Sequence, residues 1–125
     1  MNKNEVQING STILRGGWPQ WDYPQTDGDG SGATDENVMH RDVLPSRYRH
    51  ILTFRSPDEA LASQLMQVRS LPELNLQYYD IRSRSWMTRR MYPVGGPIIA
   101  QHMLSENGDI LFQDYELRFI QLIPD

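Results

Sequence analysis

The stretch Leu74–Val94, LNLQYYDIRSRSWMTRRMYPV, decides the fold expected for this chain. It contains two β-rich runs joined by the polar connector RSRS at residues 82–85. Residues with strand character recur at every second position, namely Leu74, Leu76 and Tyr78 in the first run and Trp86, Thr88, Arg90 and Tyr92 in the second. A period of two with aromatic and branched residues predicts half-buried strands, and the short connector predicts an antiparallel hairpin. One face of this hairpin therefore needs a cover.

A helix just before the hairpin supplies the expected cover. In Ser56–Leu71, Ser56 can cap the first free amides, Pro57 suits the first helical position and Glu59 can close a capping box. An apolar stripe follows at helical spacing, formed by Leu61, Leu65 and Val68. Since Pro72 ends the pattern, one α-helix is predicted over about residues 57–70, lying across a sheet face.

The remaining segments predict further strands. The run Val6–Leu14 turns at Asn9-Gly10, which favours a tight hairpin turn. Strand patterns also occur at Val38–Leu44, Arg47–Arg55, Ile98–Leu104 and Asp109–Ile123. One core face is predicted to hold Tyr48, His50, Leu52 and Phe54. The chain is therefore expected to be a single, mainly β (α+β) domain over residues 1–125, an antiparallel β-sandwich or open barrel with one helix packed on it.

A long loop or arm is expected at residues 15–37, because glycine, proline and aspartate dominate there and two prolines oppose regular ladder pairing. It carries Trp18, Trp21 and Tyr23, rings of the kind enriched in interface hot spots. Two interpretations stay open. The rings form a binding surface, or they fold back onto the core.

The acidic part of this loop, Asp27–Ser31, begins like a calcium-binding loop with oxygen ligands at alternate positions. Val38 stands where a bidentate glutamate should close the site, so a solvated acidic loop is favoured. His40, His50 and His102 have no metal-ligand spacing and are expected to be structural. Neither a nucleophile elbow nor a phosphate-binding glycine loop is present, so no metal, no cofactor and no enzyme are predicted.

Composition narrows the classes further. No apolar run approaches the ~20 residues of a membrane span, and the opening residues do not match a secretory signal, so residence in a cytosol is expected. The chain has no cysteine, which fits a reducing compartment. A net charge of -4 argues against a general nucleic-acid binder.

The basic residues are almost all arginine, with Lys3 as the only lysine. Arginine suits protein interfaces, although a lineage bias in arginine use explains the skew equally well. Four of them, Arg82, Arg84, Arg89 and Arg90, are expected at or near the hairpin tip. They could contact phosphate, pair with acidic groups of a neighbouring subunit or be simply solvated; the acidic chain favours a neighbour over nucleic acid.

The order of these parts resembles small tail proteins of bacteriophages, of the tail-tube and distal-tail N-terminal type. The matching pieces are QINGSTI, a gapped loop, VMHRDVLPSRYRHILTF, the helix SPDEALASQLMQVRSL, LQYYDIRSRSWMTRRMYPVG and the closing YELRFIQLI. The segment WPQWDYPQ and the acidic glycine loop have no counterpart in that family.

The resemblance implies a structural subunit of a tail tube, distal-tail adaptor or baseplate hub. Such subunits form rings, typically hexameric, whose sheets join edge to edge around a channel through which DNA passes without specific binding. Partners would be copies of the chain and neighbouring tail proteins, in the virion tail after assembly in the host cytoplasm. The alternative is a small β-sandwich module that binds carbohydrate or protein through Trp18, Trp21 and Tyr23.

Overall fold

The computed structural model describes residues 1–23, 47–101, 106 and 108–122. The Asp27–Ser31 segment, the predicted strand Val38–Leu44, His40 and His102 lie outside these residues. The described elements are strands β1 (Val6–Ile8), β2 (Thr12–Leu14), β3 (Trp18–Asp22), β4 (Arg49–Phe54), β5 (Leu74–Asp80), β6 (Ser85–Val94) and β7 (Tyr115–Gln121), and helix α1 (Glu59–Arg69). The predicted mainly β fold with one helix is confirmed.

All seven strands form one antiparallel sheet in the order β2-β1-β5-β6-β7-β4-β3. Its two outermost strands are consecutive in the chain, because only Arg15, Gly16 and Gly17 separate β2 from β3. Four residue steps reach at most ~14 Å, whereas the edges of a flat seven-stranded sheet would be ~29 Å apart. The sheet must therefore roll up, and β2 with β3 act as one bent strand that brings its two edges together.

Two glycines form the bend. Gly16 has a φ of 85°, a conformation that other residues adopt only with strain. A Cβ on Gly17 would lie 3.1 Å from side-chain atoms of Leu52 and Phe54, so the backbone passes close to the core there. The close approach explains why two consecutive glycines stand at this position.

Strand β3 corrects the prediction that residues 15–37 form a loop. Residues Trp18–Asp22 pair with β4 from Trp18 opposite Thr53 to Asp22 opposite Arg49. Pro19 is tolerated because β3 is an outermost strand and needs ladder bonds on one side only. Residues 24–37 of the predicted arm lie outside the described part of the chain.

The core fills the rolled sheet. Apolar side chains of every strand except β3 and of the helix form one buried cluster that includes Val6, Leu14, Leu52, Phe54, Leu65, Leu74, Leu76, Met91, Leu117 and Phe119. Helix α1 buries Ala62, Leu65 and Val68, while Leu61 is half-buried. The predicted helical stripe therefore faces the sheet, with Ala62 as an additional member.

The helix begins later than its sequence signals predict. Asp58, not Ser56, is the N-cap, and its carboxylate accepts a hydrogen bond from the Leu61 N–H at 2.8 Å. Ser56 has a φ of 40° and donates its N–H to Asp114, which places it in the strand-to-helix turn. The carboxylate of Glu59 accepts the Ile110 N–H, so no capping box forms.

The predicted β5–β6 hairpin is confirmed, whereas the closing strands are shorter than predicted. Among the described residues of Ile98–Leu104, Ala100 makes only an isolated bridge to Phe112. The strand predicted from Asp109 starts at Tyr115. The reason is that Phe112 donates its N–H to the Pro57 carbonyl at the helix start, which draws the chain out of the sheet.

Candidate functional site

An inner aromatic cluster lies where strands β3, β4 and β5 approach one another, and we define it as Trp21, Tyr23, Tyr48, His50 and Tyr78. The Tyr48 and Tyr78 rings stack with centroids 5.1 Å apart, and Tyr23 packs on Tyr48 at 4.4 Å. His50 contacts Tyr78 at 4.9 Å and meets the edge of Trp21 at 5.8 Å. The rings join the two ends of the rolled sheet through side-chain packing.

Burial shifts the pKa values of two members of this cluster. His50 is 1% exposed, and burial lowers its pKa to about 4, so the ring is neutral at pH 7. Burial, with a smaller effect from Tyr78, raises the pKa of Tyr48 well above its ordinary value. The Tyr48 hydroxyl lies 2.7 Å from His50 Nδ1, so both polar groups are satisfied by one hydrogen bond. The pair acts as a structural contact within the core.

The three rings predicted as a common surface lie on two faces of β3. Trp21 donates its indole N–H to the Tyr79 carbonyl at 2.7 Å, and Tyr23 packs on Tyr48, so both rings face inward. Trp18 is 64% exposed on the opposite face, with the Arg55 guanidinium 5.6 Å from its ring centroid. Positions three residues apart on a strand point to opposite faces, which explains the separation.

The four arginines predicted near the hairpin tip do not form one cluster. Arg82 and Arg84 lie in the turn, but Arg89 and Arg90 pair with Leu76 and Asn75 well along the strand. A strand rises ~3.4 Å per residue, so the two pairs of arginines lie far apart.

Each of these arginines has its own environment. The Arg82 guanidinium lies 4.0 Å from the centroid of the Tyr23 ring, which joins one predicted arginine to one predicted aromatic residue. Arg84 has a φ of 57° in the turn. Arg90 forms an ion pair with Glu73, and Arg89 is half-buried. Four different environments thus replace the expected charged tip.

The hairpin turn is held by Asp80, which is 3% exposed. Its Oδ2 accepts hydrogen bonds from the N–H and the hydroxyl of Ser83, at 3.3 and 2.8 Å. Both its Oδ1 and the Tyr23 hydroxyl are buried, and neither has a hydrogen-bond partner among the residues that the structure describes. Burying a polar group without a hydrogen bond opposes folding. The polar groups at this end of the sheet therefore contribute less to stability than the hydrogen-bonded Tyr48–His50 pair.

Sequence patterns missed Tyr48, His50, Tyr78 and Asp80 as members of one site. Their alternation in β4 and β5 predicts correctly that three of them face inward. No pattern indicates that strands so distant in sequence meet here. The curvature of the sheet alone brings them together.

An open groove of about 440 Å³ lies at the far ends of β6 and β7, lined by Val94, Gly95, Gly96, Pro97, Tyr115, Glu116 and Arg118. The Tyr115 hydroxyl donates a hydrogen bond to the Gly96 carbonyl across it. Within the described ranges no group of three or more potential metal ligands occurs, and none of the helices there is long and apolar enough to cross a membrane.

Comparison with known proteins identifies no relative: no family model, no curated protein and no solved structure matches this chain. Function therefore has to be inferred from the surfaces just described.

Proposed function

We propose that this chain is a structural subunit of a bacteriophage tail or tail-like particle, and that it acts by assembly and not by catalysis. Copies form a ring, six being expected, around the path of the DNA and bind neighbouring tail proteins. The proposal is supported by the order of elements in the sequence and by a rolled antiparallel sheet with one helix. One surface feature carries it furthest.

That feature is the exposure of Trp18. At 64% it is the most exposed large hydrophobic residue in the described part of the chain, and it lies on the outer face of an outermost strand. Tryptophan and arginine are the residues most enriched at the centres of protein interfaces, and Arg55 lies over this ring. Covering the ring with a second subunit would remove a large apolar area from water.

The geometry of β2 and β3 favours side-chain contact over ladder extension at this surface. Strand β2 has only three residues, and β3 contains Pro19, which has no N–H to donate. Short outermost strands and prolines are the features that limit edge-to-edge pairing. The ring is therefore expected to form mainly through the outer face that carries Trp18.

A carbohydrate-binding platform is less well supported. Such a platform needs several aromatic rings on one face, but Trp21 and Tyr23 pack inward against Tyr79 and Tyr48. Only Trp18 remains exposed. We therefore do not propose that alternative.

Electron microscopy and mass measurement test the proposal. The purified chain, alone and co-expressed with the products of adjacent genes, should form assemblies larger than a dimer, visible as rings in negative stain. Trp18→Ala should shift the mass distribution toward smaller species, because the anchor ring is lost, whereas Trp18→Phe should retain much of the assembly.

Met66→Ala is the matched control, since Met66 is 44% exposed on the helix, away from β3. A wild-type chain that stays monomeric under both conditions would refute the proposal. So would assemblies that are equally sensitive to both alanine variants.

A further inference from the structure

Strand β6 has β5 on one side and β7 on the other, but each neighbour pairs with only a part of it. Its residues from Ser85 to Met91 pair with β5, but β7 pairs only with Met91–Val94. The last contact on that side is the Leu122 N–H donated to the Arg90 carbonyl at 3.0 Å. In the described part of the chain, no strand therefore lies beside Trp86 and Thr88 on the side of β6 that faces away from β5.

The direction of the Arg90 carbonyl identifies which backbone groups are open. In an antiparallel ladder the N–H and C=O of one residue point to the same side, and successive residues alternate. Trp86 and Thr88 therefore direct their N–H and C=O groups to the open side. Among the described residues no strand pairs with these groups, so the N–H and C=O of Trp86 and Thr88, four backbone groups per chain, face an incoming strand.

We infer that this open side binds the same strand of a second copy, antiparallel and about a two-fold axis through Met87. In this register Trp86 lies opposite the partner's Thr88, and the two residues exchange N–H···O=C bonds in both directions. The axis repeats the exchange at Thr88 and the partner's Trp86. All four open backbone groups of each chain are then satisfied.

Two features of this segment fit the two-fold register. Between Ser85 and Arg89 no like charges face each other directly, because Ser85 lies opposite the partner's Arg89. The next pair in this register, Arg84 and the partner's Arg90, lies where the chain leaves the strand. The chain turns away at Arg84, whose φ is 57°, just before the partner strand would meet the end of β7. The stretch Ser85–Arg89 is thus as long as the strand that it receives.

The inference goes beyond the proposed ring. A two-fold contact uses the same surface on both chains and closes at two copies, so by itself it makes no ring. It also leaves Trp18 free, since β3 is three strands away from β6 in the sheet. The two contacts can therefore be tested separately.

Cysteine cross-linking reports the register directly, because the chain has no cysteine of its own. Met87 on the axis forms a non-hydrogen-bonded pair with its symmetry mate, with Cα atoms ~4.5 Å apart, within the range of a disulfide. Oxidised Met87→Cys protein should run as a covalent dimer. In Thr88→Cys the two thiols lie diagonally, ~7–8 Å apart, so no dimer should form above background.

A proline variant separates pairing from folding. Thr88→Pro removes an N–H that points to the open side and no bond to β5, so the hairpin should fold while dimerisation in the Met87→Cys background is lost. Thr88→Val retains the N–H and should still cross-link. Because a contact this short belongs to the weak class, native mass and sedimentation should be followed up to ~1 mM protein.

Equal cross-linking of the two cysteine variants, or cross-linking that survives Thr88→Pro in a folded protein, would overturn the inference. Rings that form although the Met87→Cys variant gives no covalent dimer would reject the two-fold contact and leave the proposed function standing. If Met87→Cys gives covalent dimers but no larger particle sensitive to Trp18→Ala is found, the two-fold contact would stand and the proposed function would be rejected.

Discussion

The inner aromatic cluster and the open half of β6 use similar residues in opposite ways. In the cluster, Tyr48, His50 and Tyr78 are almost fully buried, and their rings contact one another. In the open half of β6, Trp86 is 38% exposed and Thr88 faces solvent. Polar and aromatic groups thus stabilise the fold at the first place, and at the second they remain available for a partner.

The largest expected effect tests whether stability is concentrated in the cluster. Tyr78→Ala should lower the free energy of unfolding by about 3–5 kcal/mol, because a fully buried ring leaves a cavity. Trp86→Ala should cost less than about 1 kcal/mol, because its ring makes one edge contact with Tyr79 and is partly exposed. Guanidinium denaturation followed by far-UV circular dichroism measures both values. If the two variants lose similar amounts of unfolding free energy, stability is not concentrated in the inner aromatic cluster.

A second prediction uses the lowered pKa of His50. Its folded pKa is about 4 and its unfolded value about 6.5, so the unfolded chain binds the extra proton between these pH values. The free energy of unfolding is therefore highest above pH 6.5, where His50 is neutral in both states. It should fall by about 3 kcal/mol as the pH is lowered to 4.

Urea denaturation between pH 7.5 and 4 measures this dependence. His50→Gln removes the titrating ring and should flatten the curve by that amount, whatever its effect at pH 7.5. If the free energy of unfolding falls with pH equally in the variant and the wild type, His50 does not contribute to the loss of stability in acid.

The smallest predicted effect concerns two adjacent glycines beside the groove. A Cβ at Gly95 would lie 2.2 Å from the Tyr115 hydroxyl oxygen, whereas nothing lies within 4 Å of one at Gly96. Gly95→Ala should therefore cost about 1–3 kcal/mol, and Gly96→Ala should change stability by less than about 0.5 kcal/mol. Thermal unfolding of the pair is the measurement, and a melting temperature equal for both variants would refute the close packing of Tyr115.

Much of the local structure was predictable from the sequence. Alternation in Leu74–Asp80 and Arg49–Phe54 identifies the inward residues, because a strand exposes every second side chain to one face. The apolar stripe around Leu65 gives the helix and its buried side. The cap residue was wrong by two positions, since Ser56 and Asp58 are both good caps and only the contact with Asp114 decides between them.

Strand β3 was not predictable by the same reasoning. Its proline and the two glycines just before it are typical of a loop, and it becomes a strand because β4 offers an open edge beside it. The prediction of one charged hairpin tip failed for a related reason. The arginines are close in sequence, but the extended strand places Arg89 and Arg90 far from Arg82.

The sequence by itself determined the helix, the β5–β6 hairpin and the inward faces of β4 and β5, because those properties follow from the spacing of side chains along one backbone. The tertiary structure alone decided that the sheet rolls up at Gly16-Gly17 and that Tyr23 contacts Arg82. It also decided that β7, as far as the chain is described, pairs with Met91–Val94 of β6 and not with the earlier part of that strand. Those outcomes depend on the pairing register of strands distant in sequence. That register is set by the packing of the whole core, which no local pattern records.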